Sequence, residues 1–456
     1  MNRTVSVRLN AWLADPKRRP LILRGARQVG KTWLVRDLAA RSGRDLIELN
    51  LEKDPGLAKH FASNDPKRIL GELSLALNRD ITPERSLLLL DEIQAAGRLL
   101  ASLRWFYEGM PNLPVIAAGS LLEFALAEHD FSMPVGRVAF QHVEPFSFRE
   151  FALAHGQDRL IEVLAEWRPG HELSPAAHEQ ASRWLQRAMM VGGMPAAVTA
   201  DSDGRLPREV REIQRELVAT YRADFAKYHG RMDRDILNHV LQATAGSLGR
   251  KFVHSQVGEG VKQHQAKRAL DLLTMARVVR QVHHSSANGL PLGGEVKDTF
   301  RKVVLLDIGL AHALLGTPAA QAFPAWSALA PALRGQLTDQ MAAQELRQLD
   351  SGAGDGAELY YWQREGGRAG EIDFLTQIDG RIVPVELKAG ASGAMKSLHQ
   401  FMFDKHLGLA VRCDSNPPSV MTVAVKTTQG DQVRYRLVSV PLYLLWNLEA
   451  ILAEAT

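Results

Sequence analysis

The feature that most constrains this chain is an octapeptide, Gly25-Ala26-Arg27-Gln28-Val29-Gly30-Lys31-Thr32. It lies between the apolar run Leu21-Ile22-Leu23 and the helically spaced Trp33-Leu34-Val35-Arg36-Asp37-Leu38. The order is strand, loop, helix. Its glycines let consecutive backbone N–H groups turn toward one point, and the positive end of the following helix adds to the field there. Such a loop cradles phosphates. Lys31 would reach the β- and γ-phosphates, and the Thr32 hydroxyl would ligate Mg²⁺. The expected fold is therefore α/β, with ATP and Mg²⁺ as cofactors and residues 25–32 as the binding loop.

A second strand answers the first. Ser86-Leu87-Leu88-Leu89-Leu90-Asp91-Glu92-Ile93-Gln94 has four leucines in a row, as a strand covered on both faces would. Asp91 then falls at the carboxyl end of the sheet, where α/β folds bind ligands, and can hold the Mg²⁺ shell. Glu92 can polarise the attacking water. The pair could instead cap a helix. Leu113–Ser120 reads as another buried strand, and Ser120 at its end would sense the γ-phosphate or simply cap the helix Leu121-Leu122-Glu123-Phe124.

In order along the chain stand the loop Gly25–Thr32, Leu90–Gln94, Ala118-Gly119-Ser120, Gly136-Arg137 and Pro145-Phe146-Ser147-Phe148-Arg149-Glu150-Phe151. Together they resemble a large family of prokaryotic AAA-type (AAA+) ATPases. The C-terminal part of that family is a domain of unknown function with a restriction-endonuclease-like fold. The resemblance covers nearly the whole chain and implies an AAA-type core in a homo-oligomer, such as a ring. In such assemblies an arginine of one subunit reaches the γ-phosphate of the next. Arg137 is the candidate here, its alternative being an ordinary salt-bridged arginine. Ala26 stands where many members have proline and Gln28 where many have arginine; neither change removes a phosphate-contacting backbone group.

At 456 residues the chain exceeds one ordinary core, and two to four domains are expected. Hydrophobic residues at 46% and charged residues at 23% describe a soluble globular protein. A net charge of +4 permits nucleic-acid binding without requiring it. The single Cys413 excludes an internal disulfide framework and fits a cytoplasmic location. Residues 1–20 lack the apolar region of a signal peptide, and no apolar stretch reaches membrane-spanning length.

The expected division is an ATPase core over 1–150, a helical lid and connector over 151–228, a winged helix-turn-helix over 229–320, and a restriction-endonuclease-like α/β domain over 330–456. Within the third region, helices are expected at 236–247, 253–258 and 261–276, followed by strands at 278–284 and 300–306. Asn288-Gly289 and Gly293-Gly294 lie in the loop between those strands. The third helix carries Lys262, Gln263, His264, Gln265, Lys267 and Arg268 in its first turns, the residue types that major-groove contact uses. Lys297, Arg301 and Lys302 would meet phosphates from the wing. A solvated or protein-binding face is the competing reading.

Near the C-terminus, Glu371-Ile372-Asp373 precedes an Asp379-Gly380 turn and then Val385-Glu386-Leu387-Lys388. Side chains alternate along a strand, so Glu386 and Lys388 share a face, and the antiparallel partner brings Asp373 alongside. Asp373 and Glu386 could bind Mg²⁺, with Lys388 offsetting charge on a phosphate. Asp339 and Glu345 on the preceding helix could complete the site. The plainer alternative is a surface hairpin carrying a Glu386–Lys388 salt bridge. Three functions stay open: an ATP-driven machine acting on DNA, an ATP-gated Mg²⁺-dependent nuclease, and a regulatory switch that binds a protein.

Overall fold

A computed structural model of the chain describes residues 3–120, 122, 124, 134, 136–225, 232–349, 357–364, 370–388, 390 and 395–455, with backbone alone at 298 and 299. Contacts divide it into two compact units. One runs up to Glu144 and includes Met275–Arg277; the other comprises Pro145–Thr274 and the chain from Val278.

The first unit is built on five strands: β1 Leu21–Arg24, β2 Asp45–Asn50, β3 Ser86–Asp91, β4 Val115–Ala118 and β5 Ala139–His142. They lie in the order β2-β3-β4-β1-β5, and every pairing is parallel. Parallel strands need crossovers, and the helices Lys31–Ser42, Pro66–Leu77 and Leu99–Gly109 lie between them in sequence. All six residues of β3 are buried, as its leucine run requires of a strand covered on both faces. Leu88 and Leu90 share a core with Ile69, Leu73, Leu103 and Phe106. The helix Pro66–Leu77 is bounded as its sequence dictates: Asp65 accepts from the Lys67 N–H, proline opens the first turn, and Asn78 closes it in the left-handed region.

The second unit opens with five helices, Phe148–Ala154, Asp158–Glu166, Pro175–Val191, Pro195–Ser202 and Pro207–Asp224. Ser147 and Glu150 form a reciprocal capping box on the first. The last was expected to reach Tyr228, which lies outside the described residues. Helices Arg234–Gly246 and Gln263–Met275 follow, with a short 3₁₀ turn at His254–Gln256 between them.

Eight strands form the second sheet: β6 Val279–Ser285, β7 Val296–Leu305, β8 Leu359–Gln363, β9 Glu371–Ile378, β10 Arg381–Leu387, β11 Leu409–Cys413, β12 Ser419–Lys426 and β13 Gln432–Ser439. Their order is β12-β13-β11-β10-β9-β8-β6-β7.

Two features differ from the sequence expectation. The hairpin β6–β7, expected as the wing of a separate domain, is continuous with the C-terminal sheet, because β6 pairs in parallel with β8. The helices expected as a lid on the ATPase core belong to the second unit. Buried polar contacts hold them there: the Phe146 N–H donates to the Gly193 carbonyl at 2.7 Å. Asp307 accepts from the N–H groups of Gly193 at 2.6 Å and Gly309 at 2.8 Å. Burial pushes Asp307 up to about 6 against the pull of those donors. Glycine at 193 permits this close approach of two backbones, since a Cβ there would meet the Phe146 carbonyl at 2.3 Å.

Candidate nucleotide site and acid–lysine cluster

The loop Gly25–Thr32 runs from β1 into the helix Lys31–Ser42. Gly30 takes φ 94° at the start of that helix and Gln28 φ 64°, which turns the intervening N–H groups inward. A Cβ on Gly25 would lie 2.4 Å from the Val143 carbonyl, so the first glycine is required by close approach of two backbones. Lys31 is buried, and its Nζ donates to the carbonyls of Gly25 at 3.0 Å and Ala26 at 2.8 Å. Burial lowers its pKa to about 8, opposed by the charges of Glu92 and Asp91. An ammonium held against two neutral carbonyls, with carboxylates nearby, is poised to transfer to phosphate oxygens.

Asp91 ends β3, adjacent in register to Asn50. Its Oδ2 accepts from Thr32 Oγ1 at 3.0 Å, which joins the two sequence-predicted Mg²⁺ ligands directly. Burial raises the Asp91 pKa, and the Thr32 bond opposes it. Glu92 follows in the left-handed region at φ 51°, and Gln94 Nε2 donates to its Oε2. Gln94 also sits against Gly119, where a Cβ would lie 2.3 Å from its Oε1. Ser120 is buried just beyond β4, between β1 and β3 in the sheet, and so emerges at the edge that carries Lys31 and Asp91. Leu121 and Glu123 of the helix expected after it lie outside the described residues.

Arg137 is half-exposed, and its Nε donates to Glu108 Oε1 at 3.0 Å. Two contacts at this site were not anticipated from the sequence. One is Gln94, which holds Glu92. The other is Arg3, whose guanidinium donates to the Val29 carbonyl at 3.2 Å and the Glu144 carbonyl at 2.6 Å, tying the phosphate loop to the exit of β5.

In the second unit, Val385 of β10 pairs with Phe374 of β9, which sets Asp373 beside Glu386. Asp373 Oδ2 accepts from the Leu387 N–H at 2.7 Å, and Lys388 Nζ donates to Glu386 Oε1 at 2.7 Å. Asp339, from the helix Pro331–Leu346, joins them. Burial raises its pKa well above the usual range, and the Asp373 charge adds to that. Glu386 is likewise pushed up to about 7 by burial and by Asp373. Gly249, at φ 65°, leaves room for Asp339: a Cβ there would meet Asp339 Oδ2 at 2.2 Å. Glu386 Oε2 is buried without a hydrogen-bond partner among the described residues, an oxygen suited to a cation. Among those residues no three His, Cys, Asp or Glu side chains form a group that could hold a metal by itself. Mg²⁺ needs fewer protein ligands, since it is commonly held by one or two carboxylates with substrate phosphates and water.

Two expectations are corrected here. Glu345 does not join the cluster: it is buried elsewhere, accepting from the Phe148 N–H at 2.8 Å through Oε1, and burial pushes it up to about 8. Lys302 is not a phosphate-facing wing residue. It is buried on β7, its Nζ paired with Glu371 and 4.9 Å from the Tyr361 ring centre, and its charge opposes the rise at Asp339 and Asp373. The hairpin delivers it there because β7 belongs to the same sheet. On the helix Gln263–Met275, Gln263, Lys267 and Arg268 are exposed, as is the preceding Lys262. Gln265 is half-buried and folds back on the helix start, its Oε1 accepting from the Lys262 N–H at 3.1 Å.

Residues 17–152 match the family described as AAA domain. Residues 182–321 match Domain of unknown function (DUF8612), and residues 334–443 match Domain of unknown function (DUF4143). No curated protein matches the chain. Among solved structures, C. elegans PCH-2 is similar at 16% identity over 39% of this chain and 50% of that chain, with a TM-score of 0.22. The Aeropyrum pernix ORC2 protein, in ADPNP–ADP complexes, is similar at 15% identity over 68% of this chain and 91% of that one, with a TM-score of 0.22. The chain spans about half the length of the PCH-2 chain it matches. No described helix is long and apolar enough to cross a membrane.

Proposed function

We propose that this protein is a Mg²⁺-dependent AAA-type ATPase that acts on DNA as a homo-oligomer. The observation that carries the ATPase reading is the Thr32–Asp91 hydrogen bond beside a Lys31 held by its own loop carbonyls. ATP would exchange those carbonyl contacts of Lys31 for β- and γ-phosphate oxygens. Thr32 and Asp91 would hold Mg²⁺, which when bound neutralises phosphate charge. Glu92 would accept a proton from the attacking water as its oxygen closes on the γ-phosphorus. Ser120 would orient that water or the γ-phosphate. Arg137 would serve a neighbouring subunit, and its solvated pairing with Glu108 is weak enough to be exchanged for a phosphate.

Action on DNA is supported by the exposed Lys262, Gln263, Lys267 and Arg268 at one end of a helix. Steady-state ATP hydrolysis measured without nucleic acid, then with single-stranded, duplex and four-way-junction DNA, tests it. Stimulation by one form is expected. A rate that no form moves, with nucleotide binding intact, would transfer the reading to a regulatory switch that binds protein.

A second reading, an ATP-gated nuclease of restriction-endonuclease-like fold, is favoured by the orphaned Glu386 Oε2 beside Asp373 and Lys388. There Lys388 would offset charge on the phosphate while the two carboxylates hold Mg²⁺. Mg²⁺-dependent cutting that disappears in Lys388→Ala selects this reading.

A further inference from the structure

At the other end of β10 from Glu386 lies a cleft of about 550 Å³. Arg381 opens β10, five residues before Glu386, so the two stand about 17 Å apart along an extended strand. The cleft is walled by the loop after β6, the β9–β10 turn, the segment leading into β11, Arg436 of β13 and Ala455. Arg381, Lys405 and Arg436 converge on it, and no acidic side chain lines it among the described residues. Arg381 and Arg436 are exposed and have no carboxylate partner among the described residues. Lys405 Nζ donates to Asn288 Oδ1 at 2.6 Å. Glu295, the acid nearest that pair, is occupied outside the lining, accepting from the Asn288 backbone N–H at 2.8 Å and side-chain amide at 3.2 Å. The exposed His406 also lines the opening, and Ile382, Leu407 and Leu290, the last 44% exposed, supply its apolar side.

We propose that this cleft binds a nucleoside monophosphate, its phosphate on Arg381, Lys405 and Arg436 and its nucleoside against Leu290, Ile382 and Leu407. Three cations around one opening exceed what a single carboxylate would call for and suit a phosphomonoester carrying close to two charges. Two guanidinium forks match phosphate oxygens bidentately, where a lysine alone would act as a point charge. The volume falls within the range of small-molecule sites, about 300–1,000 Å³, and the mixture of apolar wall with a few polar groups is what such sites share. The same chemistry is offered by a free nucleotide and by the 5′-phosphorylated end of a strand. The site is separate from the phosphate loop and from the acid–lysine cluster, so it stands whether or not the chain cuts or moves DNA.

The test uses the full chain carrying Lys31→Ala, which silences the phosphate loop. Calorimetric titration with AMP is expected to show binding that weakens at least tenfold in Arg381→Ala/Arg436→Ala with the melting temperature unchanged. Lys405→Met provides an independent loss from the third cation. Inorganic phosphate is expected to bind at least tenfold more weakly than AMP; equal affinity would overturn the nucleoside part. A 5′-phosphorylated tetranucleotide that binds more tightly than AMP, and loses affinity in the same variants, identifies a strand end as the source. No heat with AMP, or equal heat with and without the two arginines, would overturn the proposal.

Discussion

Glu92 occupies a backbone conformation that non-glycine residues seldom adopt, at a cost of order 1 kcal/mol. Strain of this kind persists where neighbours impose it, and Gln94 supplies one restraint through its bond to Oε2. The residue is therefore held in place, and one of its carboxylate oxygens is already engaged. Glu92→Gln is expected to keep ATP affinity within about threefold while turnover drops about a hundredfold or more, in the range that loss of general-base catalysis gives. Gln94→Ala should alter kcat severalfold and leave KM unchanged, because it touches Glu92 and not the phosphates. Single-turnover hydrolysis beside equilibrium nucleotide binding separates the two; hydrolysis undiminished in Glu92→Gln removes that residue from the base role. At this scale the sequence was informative where a residue type has one chemical use. Lys31, Thr32 and Asp91 came together as their spacing implied. Gln94 and Arg3 were not legible, because a glutamine two residues past an acid and an arginine near residue 1 look like surface residues until a buried carbonyl or carboxylate meets them.

The helix Pro331–Leu346 carries the lesson for elements. Its sequence places polar residues at 339, 340, 344 and 345, which would ordinarily mark a solvated face, yet Asp339 is half-buried and the other three are buried. Gln340 brackets Leu305, accepting from its N–H and donating to its carbonyl at 2.8 Å each. Gln344 accepts from the Ile308 N–H at 2.7 Å and donates to Asp307 at 3.1 Å. Glu345 reaches the Phe148 N–H. Backbone groups at the end of β7 and at two helix starts need these partners, and periodicity cannot display a need that lies elsewhere in the chain. The electrostatic consequence is measurable. Burial moves Glu345 from an ordinary 4.5 up to about 8. Between those values the native chain holds a proton that the unfolded chain has released. Its contribution is therefore full below about pH 4.5 and is lost as pH rises toward 8, by at most about 1.4 kcal/mol per pH unit. Glu345→Gln keeps the acceptor for Phe148 and removes the titration. The wild-type melting temperature should fall relative to this variant between pH 5 and 8, and parallel melting curves across that range would show that Glu345 is ionised when folded.

For the whole molecule, the decisive fact is that one eight-stranded sheet runs across what composition divides at residues 320–330. Pro324 and Pro331 do bracket a linker-like stretch, but β6 before it pairs with β8 after it, Val282 opposite Leu359. That pairing is long-range, and nothing in either local sequence announces it. A chain ending at residue 321 would strip β6 of this neighbour and leave its edge unpaired. It would also remove the side-chain partners of the Leu305 N–H and carbonyl, the Ile308 N–H and the Phe148 N–H, and bare to water the apolar surface that the helix Pro331–Leu346 covers. A domain whose whole stability is about 5–15 kcal/mol does not survive the loss of so much of its packing. Residues 145–321 expressed alone are therefore expected to aggregate or to be cleaved throughout by limited proteolysis, whereas 145–456 should melt in one cooperative transition. The contrast also bears on the acid–lysine cluster, because Lys302 reaches Asp339 and Asp373 from β7. A soluble, cooperatively folding 145–321 fragment would mean that the helices and the β6–β7 hairpin form a self-sufficient domain, and that Lys302 is supplied to the cluster by docking rather than by the sheet.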